Sequence, residues 1–159
     1  MITFQKIKWK NFLSTGDHFS EIDFTKNGTN LIVGTNGTGK STVLDALTFS
    51  LFNKPFRKIN KSQLINATNE KDCLVEVEFN INGKEYLVRR SIKPNLFEIE
   101  VNGQKMHKQA DDRAMQKILE ENILKVNYKS FTQIVILGSS AFVPFMQLSG
   151  TNRREVIED

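Results

Sequence analysis

At 159 residues and 39% apolar composition, the chain is long enough for one domain with a hydrophobic core. Its formal charge of +4 is compatible with a polyanionic partner and does not by itself require one. The single cysteine, Cys73, excludes an internal disulfide framework and fits a reducing compartment, and neither an apolar run of transmembrane length nor a signal-peptide pattern is present.

Met1 to Lys10 reads as a strand. Ile2 and Phe4, then Ile7 and Trp9, alternate with polar residues in two registers, which predicts a bulge between them. Asn11 to Gly16 reads as a turn, Ile22-Asp23-Phe24 as a second short strand, and Lys26-Asn27-Gly28 as another turn. Leu31-Ile32-Val33 is a short apolar run of the kind a buried strand carries. It leads into Gly34-Thr35-Asn36-Gly37-Thr38-Gly39-Lys40-Ser41, which fits the phosphate-loop pattern G-x-x-x-x-G-K-S/T. Val43, Leu44, Leu47 and Leu51 then follow helical spacing, so the loop is predicted to join a strand to a helix.

The chemistry of a triphosphate explains these residue types. Free N–H groups and the dipole at a helix N-terminus form an anion site. Glycines at Gly34, Gly37 and Gly39 let the backbone wrap closely. The predicted ATP contacts are Gly34, Asn36, Gly37, Thr38, Gly39, Lys40, Ser41 and Thr42. Lys40 is expected to reach the β- and γ-phosphates as the catalytic cation, and the Ser41 hydroxyl to ligate Mg²⁺.

Beyond the loop helix, Asn53-Lys54-Pro55 predicts a stop. Residues 56–70 are polar and rich in Lys and Asn, with a short helix or an irregular excursion expected. Leu74 to Ile81 alternates, with Val75, Val77, Phe79 and Ile81 on one face. Asn82-Gly83 and Asn102-Gly103 are hairpin signals that bracket return strands through Tyr86, Val88 and Ile92 and through Leu96 to Val101. The result is an antiparallel meander inserted after the loop helix. Asp111 and Asp112 can cap a helix to about Leu124 with Met115, Ile118, Leu119 and Ile123 as its stripe. Phe131 to Leu137 reads as a buried strand, Phe142, Phe145, Met146 and Leu148 as an irregular apolar stretch, and the last residues as the start of a helix.

An ATPase with this loop needs a second acid after an apolar strand to help hold Mg²⁺. No such run exists, because Phe131 to Leu137 ends in Gly138-Ser139-Ser140. The acids do not form a nuclease cluster, and His18 and His107 lack companions at metal-ligand spacing.

Lys10-Asn11-Phe12, Gly34 through Ser41, Leu44-Asp45-Ala46-Leu47, Val88-Arg89-Arg90, Phe131-Thr132 and Arg153-Arg154-Glu155, in that order, resemble the N-terminal half of an SMC-like DNA-repair ATPase head of the SbcC type. Within that type the chain is most similar to a phage branch, the large subunits of recombination exonucleases. The resemblance implies an α/β P-loop NTPase of the ABC/SMC head type. Residues 1–159 would be its N-terminal lobe, carrying the β meander and incomplete without a C-terminal half. About 149–159 would start the helix leading to a coiled coil. The C-terminal half would supply Walker B, the signature motif and a switch histidine. ATP with Mg²⁺ would be sandwiched in a homodimer of heads that regulates a nuclease subunit on double-stranded DNA ends, in the host cytoplasm if phage-encoded. The chain alone would then be inactive. The resemblance also adds Asn11 and Phe12 to the nucleotide contacts.

Two positions depart from that pattern. Ser139-Ser140 stands where relatives carry a Gln-Gly pair that contacts Mg²⁺ and the attacking water, so Ser139 would reach the metal only through water or a backbone shift, and Gln133 falls earlier. Leu13 stands where relatives often carry an Arg after Asn-Phe. Leu148-Ser149-Gly150 resembles the L-S-G-G signature, but Thr151-Asn152 breaks it, and Ser149 or Thr151 as a helix cap reads better. Arg89 and Arg90, with Lys84 and Lys93, form a candidate DNA face, as do Lys6, Lys8 and Lys10; the competing reading is an edge strand guarded by charge. Arg153 and Arg154 read as a solvated helix face or as a contact to DNA or the nuclease. A small P-loop kinase or GTPase, and a non-catalytic phosphate- or DNA-binding module, remain as alternatives. No Asn-Lys-x-Asp is present for guanine; Asn60-Lys61-Ser62-Gln63 lacks the Asp.

Overall fold

The computed structural model describes residues 1–107, 111–136 and 147–158. The chain divides into two compact units, Met1–Lys108 and Gln109–Asp159. No helix among the described residues is long and apolar enough to cross a membrane.

The first unit is built on a six-stranded antiparallel sheet of order β2-β1-β3-β4-β5-β6. Its strands are β1 (Ile2–Lys10), β2 (Ser20–Asp23), β3 (Cys73–Ile81), β4 (Lys84–Ile92), β5 (Leu96–Val101) and β6 (Gln104–Lys105). The bulge in β1 is present: Phe4 pairs with Phe79 and Lys6 with Glu78, so Gln5 is the extra residue. That one-residue slip keeps Phe4, Ile7 and Trp9 on one face, since a register without it would turn one of the two apolar runs to the other side. Both Asn-Gly turns have φ in the left-handed region, at 51° and 82° for Asn82-Gly83 and at 49° and 77° for Asn102-Gly103. This is the twist a two-residue hairpin needs. The meander is no separate lobe; it extends the sheet that β1 and β2 begin.

Helix α1 (Thr42–Phe52) lies across β1, β3 and β4. Ala46, Phe49 and Phe52 are buried there with Ile7, Val75, Val77, Phe79, Val88 and Ile99. The helix ends at Asn53, whose φ of 58° closes it, ahead of Pro55 as expected. Residues 53–72 return along the molecule through a 3₁₀ turn, Lys61–Leu64, with Phe56 and Leu64 buried.

The opposite face of the sheet carries a row of alternating charge. Across the strands run Glu21, Lys8, Glu76, Arg89 and Glu98 in register, with Lys105 closing the row on Glu98 at 2.9 Å. Lys8 meets Glu76 at 2.8 Å, and Arg89 reaches Glu76 at 2.7 Å and Glu98 at 3.0 Å. Opposite charges directly across a ladder support the pairing that places them.

One expected strand is absent. Leu31, Ile32 and Val33 have no strand assignment and are 86%, 44% and 78% exposed. A buried strand needs a neighbour for its backbone groups, and no described strand pairs with this run.

In the second unit, α2 (Asp112–Lys117) continues into a π-helical turn, Ile118–Leu124. Asp111 caps it, accepting the Ala114 amide at 2.7 Å. Met115 and Leu119 are buried four apart, and the next buried residue is Leu124, five further on. The π turn thus moves the stripe from the expected Ile123 to Leu124. The expected strand at Phe131 to Leu137 is instead a helix, α3 (Tyr128–Ile134). Asn127 caps it through the Ser130 amide at 3.0 Å, and only one side of the apolar run is inside. Phe131 is fully buried, whereas Ile134 is 58% and Val135 49% exposed. Helix α4 (Gly150–Glu158) begins where Ser149 Oγ accepts the Asn152 amide at 3.3 Å, so Ser149 acts as its cap. Leu137 to Met146, with Ser139 and Ser140, lie outside the described residues.

Candidate functional site

The phosphate loop holds its shape with its own atoms. Gly37 and Gly39 have φ of 86° and 89°, a region that L residues rarely adopt. A Cβ on Gly34 would lie 2.5 Å from Thr38 Oγ1, which itself donates to the Thr35 carbonyl at 2.7 Å. Lys40 Nζ donates to the Gly34 carbonyl at 2.5 Å and to the Thr35 carbonyl at 2.8 Å. Ser41 opens α1 and makes no side-chain capping bond, so its hydroxyl is not committed to the helix end.

This loop forms one side of a cavity of about 500 Å³ through Asn36, Gly37, Gly39, Lys40, Ser41 and Thr42. The other side is Leu13, Ser14, Arg57, Gln63, Ile65 and Ala67. That volume falls within the range of small-molecule sites. A lysine, a hydroxyl and close-wrapping glycines face a wall of mixed polarity, a donor set that fits a nucleotide polyphosphate with Mg²⁺.

Asn11 and Phe12 do not line this cavity. Phe12 is fully buried, with its ring centroid 5.8 Å from that of Phe49 on α1. Asn11 is 1% exposed and ties the turn to the returning segment: its Nδ2 donates to Asp17 at 3.0 Å, and its Oδ1 accepts from Asn69 at 2.6 Å. The pair builds the wall, while Leu13 and Ser14 beside it provide the lining.

Arg57 carries no motif signal and belongs to the site. Its Nε and Nη2 both meet Asp45 Oδ2 at 2.6 Å, and its amide donates to Asp45 Oδ1 at 2.9 Å. Asp45 is fully buried one turn into α1, whereas Arg57 lies on the cavity wall. The available signal was an acid inside an apolar helix followed by an isolated arginine.

The fold does not bring Arg89 and Arg90 together on one face. Arg89 is engaged by Glu76, Glu98 and Glu100. Its guanidinium is held above its ordinary pKa, first by the Glu76 hydrogen bond, against the cost of burial. Burial acts to raise the Glu76 carboxyl, but hydrogen bonds and charge from Lys8 and Arg89 outweigh it and hold that carboxyl low. Arg90 faces the other way, 4% exposed, with Nε donating to the Ser50 carbonyl at 3.0 Å and its guanidinium 3.7 Å over the Phe97 ring. Lys84 and Lys93 are exposed at opposite ends of β4, roughly 30 Å apart at about 3.3 Å per residue. Lys6, Lys8 and Lys10 are paired with Glu21, Glu76 and Asp17. Cys73 is a buried strand residue whose thiol is pushed up to about 12 by burial.

The family described as AAA domain matches residues 6–158. Among curated proteins, exonuclease subunit 2 of Enterobacteria phage T4 is 45% identical over 154 residues, which cover 97% of this chain and 27% of that protein. The SbcC component of the SbcCD nuclease of Clostridium acetobutylicum is 34% identical, with 92% of this chain and 14% of that protein covered. The chain therefore spans about a quarter or less of the length of these relatives. A solved structure from work on ATP-driven dimerization and DNA-stimulated activation of SMC ATPases is 25% identical with a TM-score of 0.65, covering 98% of each chain. The fold is accordingly the α/β P-loop ATPase fold of SMC-type heads.

Proposed function

The chain belongs to the AAA domain family, and on that premise we propose that it is the ATP-binding half of a DNA recombination or repair ATPase that works with a nuclease subunit. The observation that carries this reading is the cavity where Lys40 and Ser41 face the wall holding Arg57. Its likeness to an exonuclease subunit and to a component of a nuclease complex supports the biological context.

In this mechanism Lys40 leaves the Gly34 and Thr35 carbonyls, which it bonds as a substitute acceptor set, and turns to the β- and γ-phosphates. The Ser41 hydroxyl would hold Mg²⁺, which would supply positive charge at the phosphates. Gly34 to Thr42 wraps the polyphosphate, and Leu13, Ile65 and Ala67 offer apolar surface to the rest of the nucleotide. The second acid, the signature motif and the residue that aligns the attacking water come from a C-terminal half and a second head. The exposure of Leu31, Ile32 and Val33 supports such a complement, because strands added beside them would complete their ladder and cover their side chains. ATP bound between two heads then drives their engagement and controls access of the nuclease to double-stranded ends.

Mg-ATP binding is measured with the wild-type chain and with Lys40→Ala. Lys40 is half-buried on the loop and bonds only loop carbonyls, so the variant keeps its fold and loses binding. Full binding by the folded variant would sink the proposal. Hydrolysis by the chain alone, then with the C-terminal half and DNA added, separates a half-site from a complete enzyme.

A further inference from the structure

Among the described residues, one buried side-chain polar atom has no hydrogen-bond partner: Trp9 Nε1, on β1. Trp9 is 6% exposed, so the indole N–H is shut away from solvent as well. An unpaired buried donor is destabilising, and native folds keep few of them. Trp9 lines a second cavity, of about 350 Å³, together with Gly34, Thr38, Lys40 and Val43. Residues of β1 and β2 form one wall of this space and the phosphate loop forms the other. Gly34 and Thr38 line it rather than the nucleotide cavity.

The loop holds a matching acceptor. Lys40 Nζ bonds two carbonyls, at 2.5 Å on Gly34 and at 2.8 Å on Thr35. The two are not equivalent. The Thr35 carbonyl also accepts the Thr38 hydroxyl at 2.7 Å and the Thr38 amide at 3.3 Å. The Gly34 carbonyl has Lys40 as its single described donor. When Lys40 turns to the β- and γ-phosphates, Thr35 therefore keeps two donors and Gly34 keeps none. A bare carbonyl beside a polyphosphate is unfavourable twice over, because it is unpaired and because its oxygen repels the phosphate charge.

We propose that the Trp9 indole N–H takes over the Gly34 carbonyl when Lys40 leaves it, which makes Trp9 a positioning residue for nucleotide binding. The inference deepens the reading of the loop as a Mg-ATP site and rests on it. Donor and acceptor are each left over once the other bonds are assigned, and both belong to one cavity. Ser20, a hydroxyl on the same wall, is half-buried and meets solvent, so it lacks the need of the sealed indole. Trp9 is paired with Ser20 on β2 and with Val75 on β3, so the sheet carries the donor on a rigid element. The new bond turns the Gly34 carbonyl toward the sheet and away from phosphate. The same exchange satisfies an indole that is unpaired while Lys40 rests on the loop.

The test is NMR of the full-length protein carrying isotope-labelled tryptophan, with the Trp9 indole resonance identified by its loss in Trp9→Phe. Mg-ATP is expected to move the Trp9 indole proton downfield, the mark of a hydrogen bond formed. Lys40→Ala frees the Gly34 carbonyl with no nucleotide present, and is expected to move the same proton downfield by itself. Trp9→Phe keeps an aromatic ring and loses the N–H. Its affinity for Mg-ATP, read by calorimetry, is expected to fall about three- to tenfold, the worth of one net hydrogen bond. Mg-ATP bound with the indole unmoved overturns this inference and leaves the ATPase reading standing. An unmoved indole in the folded Lys40→Ala variant also overturns it, because the open carbonyl then fails to attract the N–H. No Mg-ATP binding by the wild type removes the nucleotide reading and this exchange together.

Discussion

Asp45 and Arg57 are joined three times over: the fully buried carboxylate accepts the Nε and Nη2 groups at 2.6 Å each and the backbone amide at 2.9 Å. The amide bond means that the main chain, as well as the side chain, is tied to α1. The returning segment is thereby held on the helix that begins at the phosphate loop.

Arg57→Ala leaves the Asp45 carboxylate buried with only the amide as donor. A broken buried pair costs several kcal/mol, and because Arg57 is itself half-exposed we expect the lower range, about 2–3 kcal/mol. Urea unfolding measures this. The Asp45→Ala/Arg57→Ala double variant is expected to be less destabilised than the two single losses summed, because no unpaired charge remains. Additive losses would mean that the two residues act independently.

Gly39 sits at a φ of 89°, and a Cβ there would also touch Thr42 Oγ1 at 3.4 Å. An L residue in the left-handed region costs about 1–2 kcal/mol. Gly39→Ala is therefore expected to weaken Mg-ATP binding about tenfold, read by calorimetric titration. Gly28→Ala, whose Cβ meets nothing within 4 Å, is the matched control and is expected to bind as the wild type does.

The charge row on the sheet makes a pH prediction. The Glu76 carboxyl is held below its ordinary 4.5 because the Lys8 and Arg89 contacts overcome the effect of burial. Glu98 is also held low, first by the hydrogen bond from Lys105 and then, against burial, by that from Arg89. A carboxyl with a lowered folded pKa binds fewer protons folded than unfolded. Its stabilising contribution is complete above the unfolded value and is lost as pH falls through the folded one. Stability should therefore decline below about pH 4.5, and Glu76→Gln should make that decline shallower while lowering stability at neutral pH. Thermal melts across the acid range check both; an unchanged acid limb in the variant would remove Glu76 from the account.

Much of this was local enough to read in the chain. The β1 bulge shows as two registers of alternation, the hairpins as Asn-Gly pairs, the α2 cap as Asp111, and the phosphate loop as glycines spaced before Lys40 and Ser41. In each case the cause lies within a few residues: a required φ, a capping oxygen, a backbone that must approach an anion.

Other features have causes that lie far along the chain. An apolar run as short as Phe131 to Ile136 suits a strand or a helix equally, and its environment decided for α3. Leu31 to Val33 has strand composition, yet a strand exists only where another offers its ladder. Arg89 and Arg90 look alike as neighbours, but strand pleating sends one to a row of carboxylates and the other to Ser50 and Phe97. Local chemistry alone determined that the chain carries a phosphate loop opening a helix. Tertiary structure decided which charges cancel, which remain, and that Arg57 stands at the nucleotide cavity, because ion pairing depends on distances that only the folded register sets.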